Sequence, residues 1–200
     1  MANQKKSYLI KLEDINADIR LGMLDFEEFS LQNDTISKRD MEQKGVLFLI
    51  KEMLKTYDFR IVYDAFNKPF LEGRQEQISI SHSHKWLAIA MHTNKDIGVD
   101  IELVRDKVIN IKHKFATAEE LNYAGSDSNI LTLLWSAKEA IYKTYGKKNV
   151  EFKKICIKPF QLKTDGEIFG SLQIDNEVRN YQLLYKKEGE YFLALVTHEI

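Results

Sequence analysis

Cysteine is nearly absent from this chain of 200 residues: the single Cys156 excludes an internal disulfide framework. Set in an alternating pattern, it reads as a core or edge residue rather than a nucleophile. Proline is as scarce, with two in all, and no Ser/Gly/Pro-rich tract interrupts the chain, which excludes a flexible linker; any lobes are tightly joined. No apolar run approaches the length that spans a bilayer, and the opening Met1-Ala2-Asn3-Gln4-Lys5-Lys6 leads into a strand-like run at Tyr8 to Leu12 instead of an apolar signal core. The expected location is the cytoplasm, with no membrane partner. An excess of one charge is also missing, since 29 basic and 30 acidic residues leave a formal charge of −1, and nucleic acid is not implied.

What is present is ample apolar content, 44% with 11% aromatic, enough for a core in one domain or two small lobes. From Ser37 to about Tyr57 the pattern is helical through Met41, Gly45, Phe48, Leu49 and Leu54, and a strand-like Phe59-Arg60-Ile61-Val62-Tyr63 follows. The second half repeats this grammar. A strand over 97–103 leads to a helix opened by the capping box Thr117-Ala118-Glu119-Glu120, then to a long helix from about Asn129 to Tyr145. Strand-like runs at 152–158, 167–174, 181–186 and 191–197, with Asp165-Gly166 and Glu188-Gly189 as turn signals, predict an antiparallel meander. The class is α+β. Lys51-Glu52-Met53-Leu54-Lys55-Thr56-Tyr57 echoes the segment from Lys138 to Tyr145, with a one-residue gap that rotates half of the match by about 100° on a helix.

Two stretches carry chemical logic. In Gly98-Val99-Asp100-Ile101-Glu102, period two points Asp100 and Glu102 the same way, opposite Ile97, Val99 and Ile101. In Trp135-Ser136-Ala137-Lys138-Glu139-Ala140-Ile141-Tyr142-Lys143, a spacing of four puts Trp135, Glu139 and Lys143 on one helical ridge with Lys138 beside it. If the ridge crosses the strand, Asp100, Glu102 and Glu139 offer hard oxygen ligands to Mg²⁺, which is usually completed by water and substrate phosphates. The plain alternative is a solvated face of Lys-Glu pairs beside an exposed strand edge. A tryptophan on the same ridge speaks against that alternative, because a fully exposed ridge has little use for one.

These stretches resemble the signature of 4'-phosphopantetheinyl transferases, Gly-x-Asp-x-Glu followed by Trp-x-x-Lys-Glu-x-x-x-Lys. Asn67-Lys68-Pro69-Phe70 and Ser79-Ile80-Ser81-His82-Ser83-His84 resemble two further motifs of the larger, surfactin-synthetase-activating (Sfp-type) class, and Phe115-Ala116-Thr117-Ala118-Glu119 resembles its Phe-x-x-x-Glu step. The resemblance implies two pseudo-symmetric α+β halves, each a long helix on a small, mainly antiparallel sheet. Residues 1–96 would contact coenzyme A, residues 97–200 would carry the metal and catalytic groups, and the active site would lie in the cleft between them, in a monomer with an internal pseudo-twofold. It implies transfer of phosphopantetheine from coenzyme A to a serine of an acyl or peptidyl carrier protein, with release of 3',5'-ADP. Asp100, Glu102 and Glu139 are implied to hold Mg²⁺. Glu139 and Lys143 are the catalytic candidates, and Lys68, Pro69, Ser81, His82 and Lys138 the coenzyme A contacts. His84 stands where the family usually has glycine. The alternatives are a non-catalytic member that binds coenzyme A or a carrier, and a metal-dependent phosphodiesterase that uses the same carboxylates on water.

Overall fold

The computed structural model describes residues 10–31, 37–147 and 150–200; Tyr8 and Leu9 of the expected first strand lie outside them. The first sheet contains β1 (Ile10–Asp14), β2 (Ile19–Asp25), β3 (Ile61–Tyr63), β4 (Pro69–Leu71), β5 (Gln77–Ser83) and β6 (Trp86–His92), in the order β1-β2-β6-β5-β4-β3. Helices α1 (Phe26–Leu31) and α2 (Lys38–Leu54) lie between β2 and β3 in sequence. Then come β7 (Val99–Leu103), α3 (Lys107–Phe115), α4 (Ala118–Ala124) and α5 (Ser128–Tyr145), followed by β8 (Ile155–Ile157), β9 (Asp165–Ile174), β10 (Glu177–Glu188) and β11 (Tyr191–Glu199). These last strands and β7 make the second sheet, ordered β7-β11-β10-β9-β8. All pairings in both sheets are antiparallel.

Side-chain alternation stacks these elements in layers. Along β6, Leu87, Ile89 and Met91 pack with Leu49, Ile50 and Met53 of α2, whereas Trp86, Ala88 and Ala90 turn to Val99, Ile101, Leu193 and Leu195 of the second sheet. Along β11, Phe192, Ala194 and Val196 face the other way, toward Leu134, Ala137 and Ile141 of α5. The order is therefore α2, first sheet, second sheet, α5. Covered on both faces, β6 is buried throughout, and each fully buried Leu or Ile contributes roughly 1.5–3 kcal/mol.

Polar residues fix the helix ends. Ser37 accepts from the Asp40 N–H at the start of α2, Thr117 and Glu120 form the expected capping box on α4, and Asp127 accepts from Asn129 and Ile130 N–H at α5. Gly146, in the left-handed region, ends α5. Gly98 sits where α5 touches the strand leading into β7, and a Cβ there would collide with the Ala140 carbonyl and Thr144. No helix of the described residues is long and apolar enough to cross a membrane.

Several expectations change. Asp165-Gly166 is not a turn but the start of β9, because the long β10 extends the ladder to Tyr185 and Lys186 and the side of Gly166 is filled by the Tyr185 ring. The reversal between β9 and β10, for which no turn signal was named, falls at Asp175-Asn176 with Asp175 at φ +53°, while Glu188-Gly189 leads into the turn to β11 as expected. Phe152–Lys154 form a 3₁₀ turn, which leaves only Ile155–Ile157 as strand. Cys156 is exposed on that edge strand. Helices α1 and α3 are additional to the sequence reading.

Candidate active site

The carboxylate strand and the helical ridge meet. Lys143 Nζ donates to Asp100 Oδ1 at 2.7 Å and to the Val99 carbonyl at 3.1 Å. Trp135 Nε1 donates to Glu102 Oε1 at 3.3 Å, with its ring stacked on Phe152 and met edge-on by Phe115. Ser136 Oγ donates to the Asp100 carbonyl at 3.1 Å, tying the helix to the strand from a third position. Glu139 lies between Trp135 and Lys143 on the ridge, so three carboxylates share a buried region with one ammonium.

That imbalance shows in their acidities. Burial first, and then the charge of Asp100, push the Glu139 carboxyl up to about 7, against which Lys143 acts. Burial and Asp100 also raise Glu102, while hydrogen bonds from Trp135 and Ser83 oppose the shift. Asp100 is only 3% exposed, yet its Oδ2 has no hydrogen-bond partner among the described residues. A buried carboxylate oxygen left unpaired is unfavourable unless a cation takes it up. The donor set, all hard oxygen and short of positive charge, fits a divalent ion such as Mg²⁺. Among the described residues no group of three or more His, Cys, Asp or Glu is placed to hold a metal ion. That is compatible with a cation held by few protein ligands.

Lys138 leaves the expected phosphate-binding set. It is 0% exposed, and its Nζ donates to Glu120 Oε2 at 2.7 Å and to the carbonyls of Phe115, Phe152 and Ile155 at 2.9, 3.2 and 2.6 Å. One residue along a helix is a turn of about 100°, so Lys138 and Glu139 face different surroundings. Within the Phe-x-x-x-Glu block the buried acid is Glu120, which also accepts from the Thr117 and Ile157 N–H, whereas Glu119 is exposed.

The remaining candidates line two hollows. Lys68 and Pro69 border a cavity of about 170 Å³ with Phe66, Ser79, Tyr142, Lys143 and Lys147. The Lys68 ammonium is paired with Asp96 and reaches the Thr144 carbonyl, which clasps the β3–β4 hairpin to the end of α5. His82 projects from the opposite face of β5 to Ser81. Its Nε2 donates to the His84 carbonyl at 3.1 Å, its Nδ1 lies 3.3 Å from Glu42, and its ring meets Phe26. With Lys38, His84 and Lys85 it borders an open hollow of about 550 Å³. His84 adopts φ +47°, a conformation natural to glycine, the residue that the resemblance leads one to expect there. The chain turns there, so Trp86 falls on the inner face and not beside Ile78, Ile80 and His82 as simple alternation predicts. Ser81 is 7% exposed and directs its hydroxyl to Asp100 Oδ1 at 2.7 Å, not to open solvent.

An acidic strand facing a Glu-x-x-x-Lys ridge, beside two hollows bordered by lysines, gathers carboxylates and ammonium groups in one region of the fold. Residues 96–196, which include that strand and ridge, match the family model of the 4'-phosphopantetheinyl transferase superfamily, and the chain belongs to that superfamily. No curated protein matches the chain.

Proposed function

We propose that this protein is an Sfp-type, Mg²⁺-dependent enzyme that transfers 4'-phosphopantetheine from coenzyme A to a serine of an acyl or peptidyl carrier protein. The observation that carries the reading is the meeting of Asp100, Glu102 and Glu139 with Lys143, around an unpaired Asp100 oxygen, inside the segment that matches the transferase family. The first sheet with α2 and the second with α5 are read as two pseudo-symmetric halves, residues 1–96 and 97–200, in a cytoplasmic monomer. The substantial first half before Asp100 supports the single-chain, Sfp-type assignment.

In the reaction, the carrier serine oxygen bonds to the β-phosphorus of coenzyme A as the P–O bond to the bridging oxygen breaks, and 3',5'-ADP leaves. Asp100, Glu102 and Glu139 would hold the cation, which supplies charge neutralisation and orientation of the pyrophosphate. Lys143, anchored on Asp100 and the Val99 carbonyl, stabilises negative charge that grows on the leaving oxygen. Glu139, whose carboxyl is pushed up to about 7 by burial and Asp100, is suited to take the serine proton. His82, Lys38 and Lys85 on one side and Lys68, Pro69 and Lys147 on the other are the groups offered to the phosphates and adenosine of coenzyme A.

A groove bordered by Arg105, Lys107, Val108, Ile111 and Trp135 opens on the Glu102 side. Its basic rim, extended by Lys114 on α3, suits an acidic carrier. Intact-mass spectrometry of apo carrier proteins incubated with this protein, coenzyme A and Mg²⁺ tests the reading. A gain of one phosphopantetheine that EDTA abolishes is expected. Absence of any gain across fatty-acid, polyketide and peptide carriers, with coenzyme A still bound, rejects it.

A further inference from the structure

Among the described residues β7 is an edge strand: β11 pairs with it on one side, and no strand of its own sheet covers the other. On that open side lies the inner face of β5, which carries Ser79, Ser81 and Ser83. Their hydroxyls accept the N–H groups of Val99, Ile101 and Leu103 at 3.0, 3.2 and 3.3 Å. Acceptor and donor differ by 20 residues at each of these three rungs. A hydroxyl that accepts one bond still has a proton to give. Ser81 gives it to Asp100 Oδ1 at 2.7 Å and Ser83 to Glu102 Oε2 at 3.3 Å, each 19 residues ahead. The residue 19 ahead of Ser79 is Gly98, which has no side chain to receive a proton.

We infer that Ser79, Ser81 and Ser83 are positioning residues, a side-chain ladder that replaces the missing neighbour strand of β7 and aims Asp100 and Glu102 at a divalent cation. The metal role of those carboxylates rests on the proposed function; the ladder itself does not. With Oδ1 of Asp100 held by Ser81 and Lys143, the carboxylate is fixed with Oδ2 left over for the cation. Small Ala88 and Ala90, beside Ser81 and Ser79 in the β5–β6 ladder, allow the two sheets to come this close. The ladder thus ties the carboxylates of the second sheet to the strand that also carries His82. It spends the hydroxyl of Ser81 on this task and not on coenzyme A.

Two measurements on the full chain test the inference: calorimetric titration with Mg²⁺ alone, and amide exchange by NMR in metal-free protein. Ser81→Ala is expected to weaken Mg²⁺ binding about 10- to 100-fold and to speed exchange at Ile101. Ser79→Ala is expected to speed exchange at Val99 while Mg²⁺ affinity stays within about twofold. Ser81→Thr, which keeps the hydroxyl, is expected to restore both. Unchanged Mg²⁺ affinity or unchanged Ile101 protection in Ser81→Ala overturns the inference, as does an equal loss of affinity in Ser79→Ala. If Ser81→Ala does not fold, Ser81→Thr decides: wild-type behaviour supports the ladder, and the same failure overturns it. If the unmodified protein binds no Mg²⁺, the metal reading fails, and site-matched exchange at Val99, Ile101 and Leu103 decides the ladder alone.

Discussion

Helix α5 carries an ion pair on each of two flanks, and the pairs are built to opposite ends. On one, Lys138 meets Glu120 with both groups almost fully buried and every strong partner supplied: three carbonyls for the ammonium, two N–H groups for the carboxylate. On the other, Lys143 meets Asp100 in a cluster with two further carboxylates, one oxygen unpaired and one acid pushed up to about 7. The first is a closed knot that joins α3, α4, the 3₁₀ turn and β8 around the helix. The second is an unfinished site. A completed set of partners marks structure, whereas a buried deficit marks a place that awaits a ligand.

Breaking the closed pair should have the largest effect on stability. Glu120→Ala leaves the Lys138 ammonium buried without its counter-ion, which is expected to destabilise by about 3–5 kcal/mol and lower Tm by roughly 10 °C or more. The double variant Glu120→Leu/Lys138→Met should recover much of that loss, since an apolar replacement removes both charges together. Thermal unfolding of the single and double variants distinguishes the two cases; equal losses in both would mean that packing, not charge, dominates the knot.

Opening the unfinished pair should move activity and leave the fold nearly unchanged. Asp100→Ala is expected to lower carrier modification by at least about 100-fold, the scale seen when a key electrostatic contact is removed from an active site. Its Tm should change far less than that of Glu120→Ala, because relief of the repulsion toward Glu102 and Glu139 offsets the lost bonds from Lys143 and Ser81. Normal transfer by this variant would remove Asp100 from the chemistry.

A third contrast lies in pH. The Glu139 carboxyl, with an ordinary value of 4.5, stands at about 7 in the fold, so between those values the folded protein keeps a proton that the unfolded chain has released. Its contribution to stability is therefore present at low pH and lost as pH rises through about 7. Metal-free Tm should fall across that window, Glu139→Gln should flatten the slope, and Mg²⁺ should oppose it by favouring the ionised acid. An unaltered slope in Glu139→Gln assigns the effect to other groups.

Local signals explain which parts of this were legible in the sequence. Period two aligned Asp100 with Glu102, and a spacing of four aligned Trp135, Glu139 and Lys143; both depend only on neighbours along the chain. The role of Lys138 was misread because it adjoins Glu139, while its partner Glu120 lies 18 residues away and is brought near only by packing. The Ser-x-Ser-x-Ser pattern of residues 79–83 was visible, but its constant offset to β7 appears only when two sheets are laid together. The start of β9 was missed for a related reason: the length of β10, not the strength of Asp165-Gly166 as a turn signal, decides how far the ladder of β9 runs.

The smallest expected effect comes from a third kind of ion pair, which also joins the two sheets. Lys11 of β1 reaches Glu188 of β10 at 2.7 Å, and Lys186 of β10 reaches Glu13 of β1, so the two strands exchange charges in both directions. Formally these bridges resemble Lys138–Glu120, yet all four side chains are between 38 and 51% exposed. Water screens them, and ordering two long side chains offsets most of the attraction. Lys186→Ala should therefore shift Tm by less than about 2 °C, and the shift should shrink further in high salt. A loss comparable to that of Glu120→Ala would show that the exposed bridges between β1 and β10 stabilise the fold as much as the buried knot around α5 does.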